Sequence, residues 1–304
     1  MPETSSPEPQ ETAAQPARPV FENPGYCACC QSQTVFVAHD EWLRDFYICR
    51  NCGSIPRQRH LQTVLEETIP GWKDLVVHES SPSNGLLSRV CTNYSSSHYY
   101  PDVPRGEYRD GVRSEDVEAL TFPDESIDVF ITQDVLEHVF HPDRAVREIH
   151  RVLRPGGAHV FTTPKYPWLS ESRARARVSA HGVVEHLFPE EYHGNPIGDN
   201  KALVTWDYGD DFELLLSEWV GAGVQTHRRR DRSLGIDAEF NEVFVIRKPV
   251  AGAGTAGSAL GQALSHGSRA AVDLARVAAR RVRPVVGRVK RGVLGAAGVR
   301  RAAG

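Results

Sequence analysis

Residues 127–163 constrain the fold most. Ile127 to Thr132 is a short apolar, β-branched run that ends in the polar Gln133 and Asp134, the pattern of a strand buried on both faces. Pro142 suits the first turn of a helix, and Ala145, Val146, Ile149, Val152 and Leu153 follow at i, i+1, i+4, i+7 and i+8, forming one apolar face. Pro155, Gly156 and Gly157 predict a stop and a chain reversal, and His159 to Thr163 predicts the next strand. Strand, crossover helix and strand make a parallel, right-handed unit, so the chain is expected to build an α/β sheet covered by helices.

Periodicity extends this pattern in both directions. Leu61, Val64, Leu65 and Ile69 predict a helix over residues 57–69, followed by a strand from Asp74 to His78. Phe212, Leu215, Leu216, Trp219 and Val220 predict another sheet-covering helix, with closing strands at Val224 to His227 and Glu242 to Arg247. The 304 residues are 40% hydrophobic, enough for a sizeable core. Residues 1–20 are polar and proline-rich and are expected to be disordered. No run approaches the roughly 20 apolar residues of a membrane span, and the start lacks a signal-peptide apolar region, which predicts a cytoplasmic protein.

Five of the six cysteines lie close together in sequence. Cys27-Ala-Cys29-Cys30 and Cys49-Arg-Asn-Cys52 form two C-x-x-C knuckles, the spacing of a tetrahedral four-thiolate zinc site with Cys27, Cys30, Cys49 and Cys52 as ligands. Four thiolates would leave no open catalytic position, so the zinc is structural. Redox dithiols and an iron–sulfur cluster are the other readings. Cys29 is the bystander that could replace a neighbour, and Cys91 reads as a small buried residue.

The segment from Ser114 to Pro164, SEDVEALTFPDESIDVFITQDVLEHVFHPDRAVREIHRVLRPGGAHVFTTP, resembles half of a class I S-adenosylmethionine-dependent methyltransferase of the type 11-like branch. The resemblance covers about Leu75 to Lys248. It implies a Rossmann-like doubly wound sheet, mostly parallel with an antiparallel last strand, here preceded by a small zinc-ribbon-like module. The expected organisation is a disordered start (1–20), the zinc module (21–56), the methyltransferase domain (57–250) and a basic Ala/Gly/Arg-rich, partly helical tail (251–304).

The same resemblance implies the site. The family's glycine-rich cofactor loop is reduced here to His78-Glu79-Ser80-Ser81-Pro82-Ser83-Asn84-Gly85, with one glycine, and places Glu79, Ser80 and Gly85 beside the cofactor. Asn93 to His98 holds no carboxylate for the ribose, so Ser97, Glu79 or Asp102 would stand in. Asp116 and Val117 match the segment that meets adenine, with a solvated acidic loop as the bland alternative, and Gln133 completes the cofactor set. Asp134, His138 and His193 are candidate bases. His138 reads equally as a packing or capping histidine, Glu137 as a group favouring a helix dipole, and His193 as part of a turn on Gly194-Asn195-Pro196, where Tyr192 and Asn195 would otherwise orient the acceptor. Residues 165–187, with Arg173, Arg175, Arg177, His181 and His186, suit a mobile cover that sets specificity.

Charge narrows the acceptor. Residues 251–304 hold ten basic residues against Asp273 alone, which leaves 25 basic and 38 acidic residues in the first 250, a balance of −13. Such a body is poorly matched to a phosphate backbone, so nucleic acid is not the expected partner. The expected activity is O-methylation of a sugar, glycan or small metabolite by in-line transfer. A ribosomal RNA methyltransferase and a noncatalytic docking protein with the same fold are the alternatives. The tail reads as a solvated or partner-bound segment for an acidic protein, or as a peripheral membrane anchor on the inner face of the membrane.

Overall fold

The computed structural model describes residues 18–82, 84–194 and 201–250. The predicted disorder of the first 17 residues, Ser83, Asn195, Pro196 and the basic tail from Ala251 lie outside the described residues. An antiparallel meander opens the fold: β1 (Phe21–Cys27), β2 (Ser32–Ala38) and β3 (Tyr47–Cys49), with the one-turn helix α1 (Leu43–Phe46) between the last two. Helix α2 (Pro56–Thr68) leads to β4 (Val76–Ser80), β5 (Asn93–His98), β6 (Tyr108–Arg109), β7 (Val112–Ser114), β8 (Ile127–Gln133), α3 (Pro142–Val152) and β9 (Leu153–Thr162). Six short strands follow: β10 (Arg173–Ala174), β11 (Ala176–Val178), β12 (Val184–His186), β13 (Tyr192–Gly194), β14 (Lys201–Leu203) and β15 (Trp206–Asp207). Helix α4 (Phe212–Val220), β16 (Val224–His227) and β17 (Val243–Arg247) close the described chain.

The central sheet runs β16-β17-β9-β8-β4-β5-β7-β6. Strands β9, β8, β4, β5 and β7 are parallel, and β17 is antiparallel to both of its neighbours. This is the doubly wound sheet with an antiparallel insertion that the sequence implies. Chain order reverses between β4 and β8, so their carboxyl ends splay apart at a topological switch point, where open α/β sheets bind ligands.

Alternation along the strands builds two core layers. Phe130, Phe161, Phe244 and Ile246 pack with Ala145, Val146, Ile149 and Val152 of α3 and with Phe212 and Leu216 of α4. Val129, Ile131, Ala158, Val160, Val243 and Val245 point to the opposite face, against Leu61, Val64 and Leu65 of α2. Each buried Val, Ile or Phe contributes about 1.5–3 kcal/mol relative to an exposed side chain.

Two strands differ from expectation. Strand β4 starts and ends two residues later than predicted, which draws Glu79 and Ser80 out of the loop and into the sheet. The Pro155-Gly156-Gly157 stretch does not reverse the chain; it is a bulge within β9. Ile127 pairs with Leu153 but Val129 with Ala158, and the extra residues are held by Gly156 N–H to Lys248 O (2.8 Å) and Lys248 N–H to Gly157 O (2.9 Å). Gly156 sits at φ +83°, and a Cβ on Gly157 would lie 2.8 Å from Asp128 O, so the glycines serve this bulge.

The meander and the sheet fall within one compact unit. Helix α2 joins them and is buried nearly all round, so its sequence shows little amphipathic contrast. Its Arg59 is fully buried, lies 4.6 Å from the Phe36 ring centroid, and donates to the carbonyls of Tyr47 (2.8 Å), Ser54 and Gly235 (2.7 Å).

Candidate functional site

The two cysteine knuckles converge. Cys27 ends β1 and Cys49 ends β3, and Cys30 and Cys52 follow after tight turns in which Gln31 and Gly53 take φ +53° and +72°. The four sulfurs lie within 4.8 Å of one another, with Cys27–Cys52 at 3.7 Å and Cys30–Cys49 at 3.9 Å. A tetrahedral ion with metal–sulfur bonds of about 2.3 Å requires sulfur–sulfur edges of about 3.8 Å. Every sulfur also has a hydroxyl within hydrogen-bonding distance: Ser54 at Cys27 (3.4 Å) and Cys52 (3.2 Å), Ser32 at Cys30 (3.2 Å), Thr34 at Cys49 (3.5 Å). Crowding opposes ionisation when no cation is present. Cys27 is pushed up to about 12, first by Cys29, and Cys52 to about 12, first by Cys27. Cys29 is buried but outside the group of four.

A cleft of about 1110 Å³ opens at the carboxyl ends of β4, β7 and β8. Of the expected cofactor residues, Ser80, Asp116, Val117 and Gln133 line it. Asp116 Oδ1 accepts the Glu118 N–H (2.9 Å), and burial raises the Asp116 carboxyl above its ordinary range. Gln133 Nε2 donates to Glu79 Oε1 (2.7 Å), which leaves Gln133 Oε1 buried and without a partner among the described residues.

Three expected cofactor residues lie elsewhere. Glu79 is buried in the sheet, accepting from Tyr94 Oη (2.7 Å) and Gln133, and its carboxyl is raised by burial; it positions Gln133 and does not line the cleft. Ser97 is buried 3.0 Å from His78 Nε2. Gly85 sits beside Ser88, and the left-handed turn at the cleft is made instead by Ser81, at φ +56°. Asp102 is exposed and pairs with Arg109.

The far end of the cleft holds the candidate bases. Asp134 takes φ +53° and its carboxylate accepts from Arg44 Nη2 (2.7 Å) and Thr162 Oγ1 (2.9 Å), with Arg57 Nε at 3.1 Å. Burial would raise this acid, but Arg44 and Arg57 outweigh burial and hold it well below the usual carboxylate range. Asp134 is therefore a fixed anion, which corrects its reading as a base: it is too weakly basic to take an acceptor's proton.

His138 and His193 do come together, with ring centroids 5.1 Å apart and planes at 90°. His138 Nδ1 lies 2.9 Å from Leu203 O, so it carries the proton and Nε2 presents a lone pair. His193 sits on β13 opposite Ala202, and burial, then His138, depresses its pKa. Beneath them Glu137 is buried; Thr163 Oγ1 donates to its Oε2 (2.9 Å), while Oε1 has no hydrogen-bond partner among the described residues and lies 3.9 Å from His138 Nε2. Burial, reinforced by Asp134, pushes the Glu137 carboxyl up to about 7. It belongs to a short 3-10 turn, Leu136–His138, tied down by Thr205 and Tyr208, so the helix-dipole account of Glu137 does not apply.

The arginines of the expected cover are internal clamps. Arg173 and Arg175 reach Asp207 (2.9 and 3.1 Å), Arg175 also meets Glu191 (3.1 Å), and Arg177 pairs with Glu185 (2.8 Å). Sequence reading missed Trp42, Arg44 and Arg57, which reach the cleft from the flank of α1, from α1 and from α2. No local pattern marks the two arginines, because their partner Asp134 lies 90 residues from Arg44 and 77 from Arg57 in sequence. Tyr99 was legible: an exposed aromatic directly after β5, where only a carboxylate was sought.

Residues 84–161 match a family model described as a methyltransferase domain. The match begins at Asn84, within the degenerate loop and beyond Ser81. Two curated relatives are similar over part of the chain. A protein described as an uncharacterized 37.1 kDa protein in a transposon of Streptomyces fradiae is 44% identical over 101 residues, 31% of this chain and 27% of the relative. A probable S-adenosylmethionine-dependent methyltransferase of Mycolicibacterium smegmatis is 36% identical over 77 residues, 25% of this chain and 28% of the relative. The chain thus spans little more than a quarter of the length of these relatives. Among solved structures, an S-adenosylmethionine-dependent methyltransferase from Mesorhizobium loti is similar at TM-score 0.41 and 16% identity, covering 62% of this chain and 98% of that one. The Burkholderia thailandensis 1,6-didemethyltoxoflavin-N1-methyltransferase, solved with its substrate and S-adenosylhomocysteine, gives TM-score 0.38 and 13% identity, covering 64% and 78%. The part of the chain from Asn84 to Phe161, which supplies strands β5 to β8 and most of β9, is therefore similar to a methyltransferase domain.

Proposed function

We propose that the cleft binds S-adenosylmethionine and that the chain methylates a hydroxyl of a sugar, glycan or small metabolite. The observation that carries this reading is a single cleft with Asp116, Val117 and Gln133 at one end and two facing imidazoles at the other. Bound there, the cofactor supplies a methyl group already activated by its sulfonium. The fit rests on Gln133 Oε1, a buried acceptor in need of a donor such as an α-ammonium group. Asp116 offers a carboxylate to the adenine amino group, flanked by Val117 and the exposed ring of Tyr99.

The protein's contribution is alignment and proton removal. The turn at Leu136–His138, tied down by Thr205 and Tyr208, holds His138 in the cleft wall beside His193, and one of the two imidazoles takes the acceptor's proton as the new bond forms. Asp134, locked by Arg44 and Arg57, fixes the wall between the two ends. The acidic balance of the first 250 residues supports a small acceptor over RNA. Cys27, Cys30, Cys49 and Cys52 fit a structural zinc. Four thiolates on Zn²⁺ carry a net charge of −2, and the buried Arg59, which has no carboxylate partner among the described residues, is held where Cys27, Cys29 and Cys49 act on it electrostatically.

Calorimetry on the zinc-loaded chain tests the cofactor site. Micromolar binding of S-adenosylmethionine and S-adenosylhomocysteine, weakened at least about tenfold by Asp116→Ala, is the expected result. Binding of neither ligand would put the docking-protein reading first. Tight RNA binding that collapses with salt would favour the ribosomal alternative.

A further inference from the structure

Glu137, His138 and His193 bring a carboxylate oxygen and two ring nitrogens within 4.8 Å of one another, at the acceptor end of the cleft. Each behaves as a donor waiting for a cation. Glu137 Oε1 is buried and has no hydrogen-bond partner among the described residues, although such an atom ordinarily finds one. His138 donates from Nδ1 to Leu203 O, the outer hydrogen bond that fixes a metal-bound imidazole and frees Nε2. The 3.9 Å from that Nε2 to Glu137 Oε1 is too long for a hydrogen bond and a few tenths of an ångström wider than the roughly 3.3–3.6 Å between two tetrahedral ligands about 2.0–2.2 Å from one ion, a gap that a small side-chain rotation closes. His193 Nε2 makes no closer polar contact than a loose pairing with Glu191 Oε1, at 3.7 Å, among the described residues.

We infer that Glu137, His138 and His193 form a second metal site, for a divalent transition-metal ion. Two imidazoles and one carboxylate suit Mn²⁺, Fe²⁺, Co²⁺ or Zn²⁺, and unlike the four-sulfur site they leave coordination positions open. The nearby positive charges do not oppose the ion, because Arg44 and Arg57 are already matched by Asp134 and Asp45. With the ion bound, His138 and His193 are ligands and no longer the free bases of the metal-free reading; an acceptor hydroxyl at an open position would be acidified by the ion and lose its proton to water, and the open positions select an acceptor presenting two neighbouring oxygens, such as a vicinal diol. This selection of acceptor rests on the methyltransferase reading; the metal site does not.

Cobalt tests it. The untagged full chain carrying one zinc per molecule is titrated with Co²⁺, followed by equilibrium dialysis and visible absorption. Wild-type protein is expected to take up one further equivalent with ligand-field bands and no thiolate charge-transfer band, and Glu137→Gln and His193→Ala are expected to lose that equivalent while retaining zinc and their melting transition. Absence of a further equivalent in wild type, or its retention in both variants, would overturn the site. S-adenosylhomocysteine binding on the same samples separates the two readings: a chain that binds the nucleoside but no cobalt has lost only the metal site, and one that binds cobalt but no nucleoside has lost only the cofactor site.

Discussion

The four-sulfur cluster and the Glu137–His138–His193 cluster are both groups of metal-capable ligands, and they are built in opposite ways. The first takes its ligands from two knuckles, each closed by a local turn, and surrounds its centre with sulfur and hydroxyl groups. The second joins a 3-10 turn after β8 to a short strand more than 50 residues later, and opens onto a cleft. A closed site can only hold the fold together, whereas an open one leaves room for a ligand. Removing a ligand should therefore damage stability in the first and leave it nearly intact in the second.

Cys49→Ser should produce the largest effect. One equivalent of zinc is lost, and because structural zinc contributes folding free energy directly, the melting midpoint should fall by on the order of 10 °C. Elemental analysis together with a thermal scan checks both; unchanged metal content would refute the four-thiolate assignment. Arg59→Met comes next. It strips donors from the carbonyls of Tyr47, Ser54 and Gly235 and removes the buried charge beside the sulfurs, a loss of about 3–5 kcal/mol in a denaturant titration. A loss below about 1 kcal/mol would mean that the buried guanidinium does not link the meander to α2.

Acid acts on a third region, and the comparison holds only where that region is quiet. Burial pushes His60 down to about 4 and His78 and His159 down to about 3, so the folded chain keeps them neutral while the unfolded chain takes up protons below about pH 6.5. Stability is therefore full above pH 6.5 and falls as pH decreases, by about 1.4 kcal/mol per unit for each histidine until its folded value is reached. Urea titrations between pH 6 and 4.5, with zinc in excess, should show His159→Leu flattening the slope by about that amount. An unchanged slope would mean that His159 is not held neutral in the fold.

How much was legible in the sequence follows the same local-versus-distant division. The β8–α3–β9 unit and the four cysteine ligands were readable because their signals repeat within a few residues. The β9 bulge was misread because Pro155-Gly156-Gly157 signals a turn, and only Lys248 on a distant strand shows that these residues continue the ladder. Glu79 and Gly85 were misplaced because the expected loop geometry needs glycine, while this chain lets Ser81 adopt positive φ. Asp134 looked like a base until Arg44 and Arg57 arrived from residues earlier in the chain than the sheet. Pairings across that distance leave no periodic trace.

Glu137→Gln should produce the smallest effect and is the sharpest test of the contrast. Glutamine keeps an oxygen for the Thr163 hydroxyl and replaces the unpartnered Oε1 with an amide that has little volume penalty. The substitution also removes a buried carboxyl that burial and Asp134 already hold against ionisation. In the absence of added metal the melting curve should shift by the equivalent of no more than about 1 kcal/mol in either direction. A collapse comparable to that of Cys49→Ser would make this cluster a structural element like the sulfur site, and the division between a closed stabilising centre and an open working one would fail.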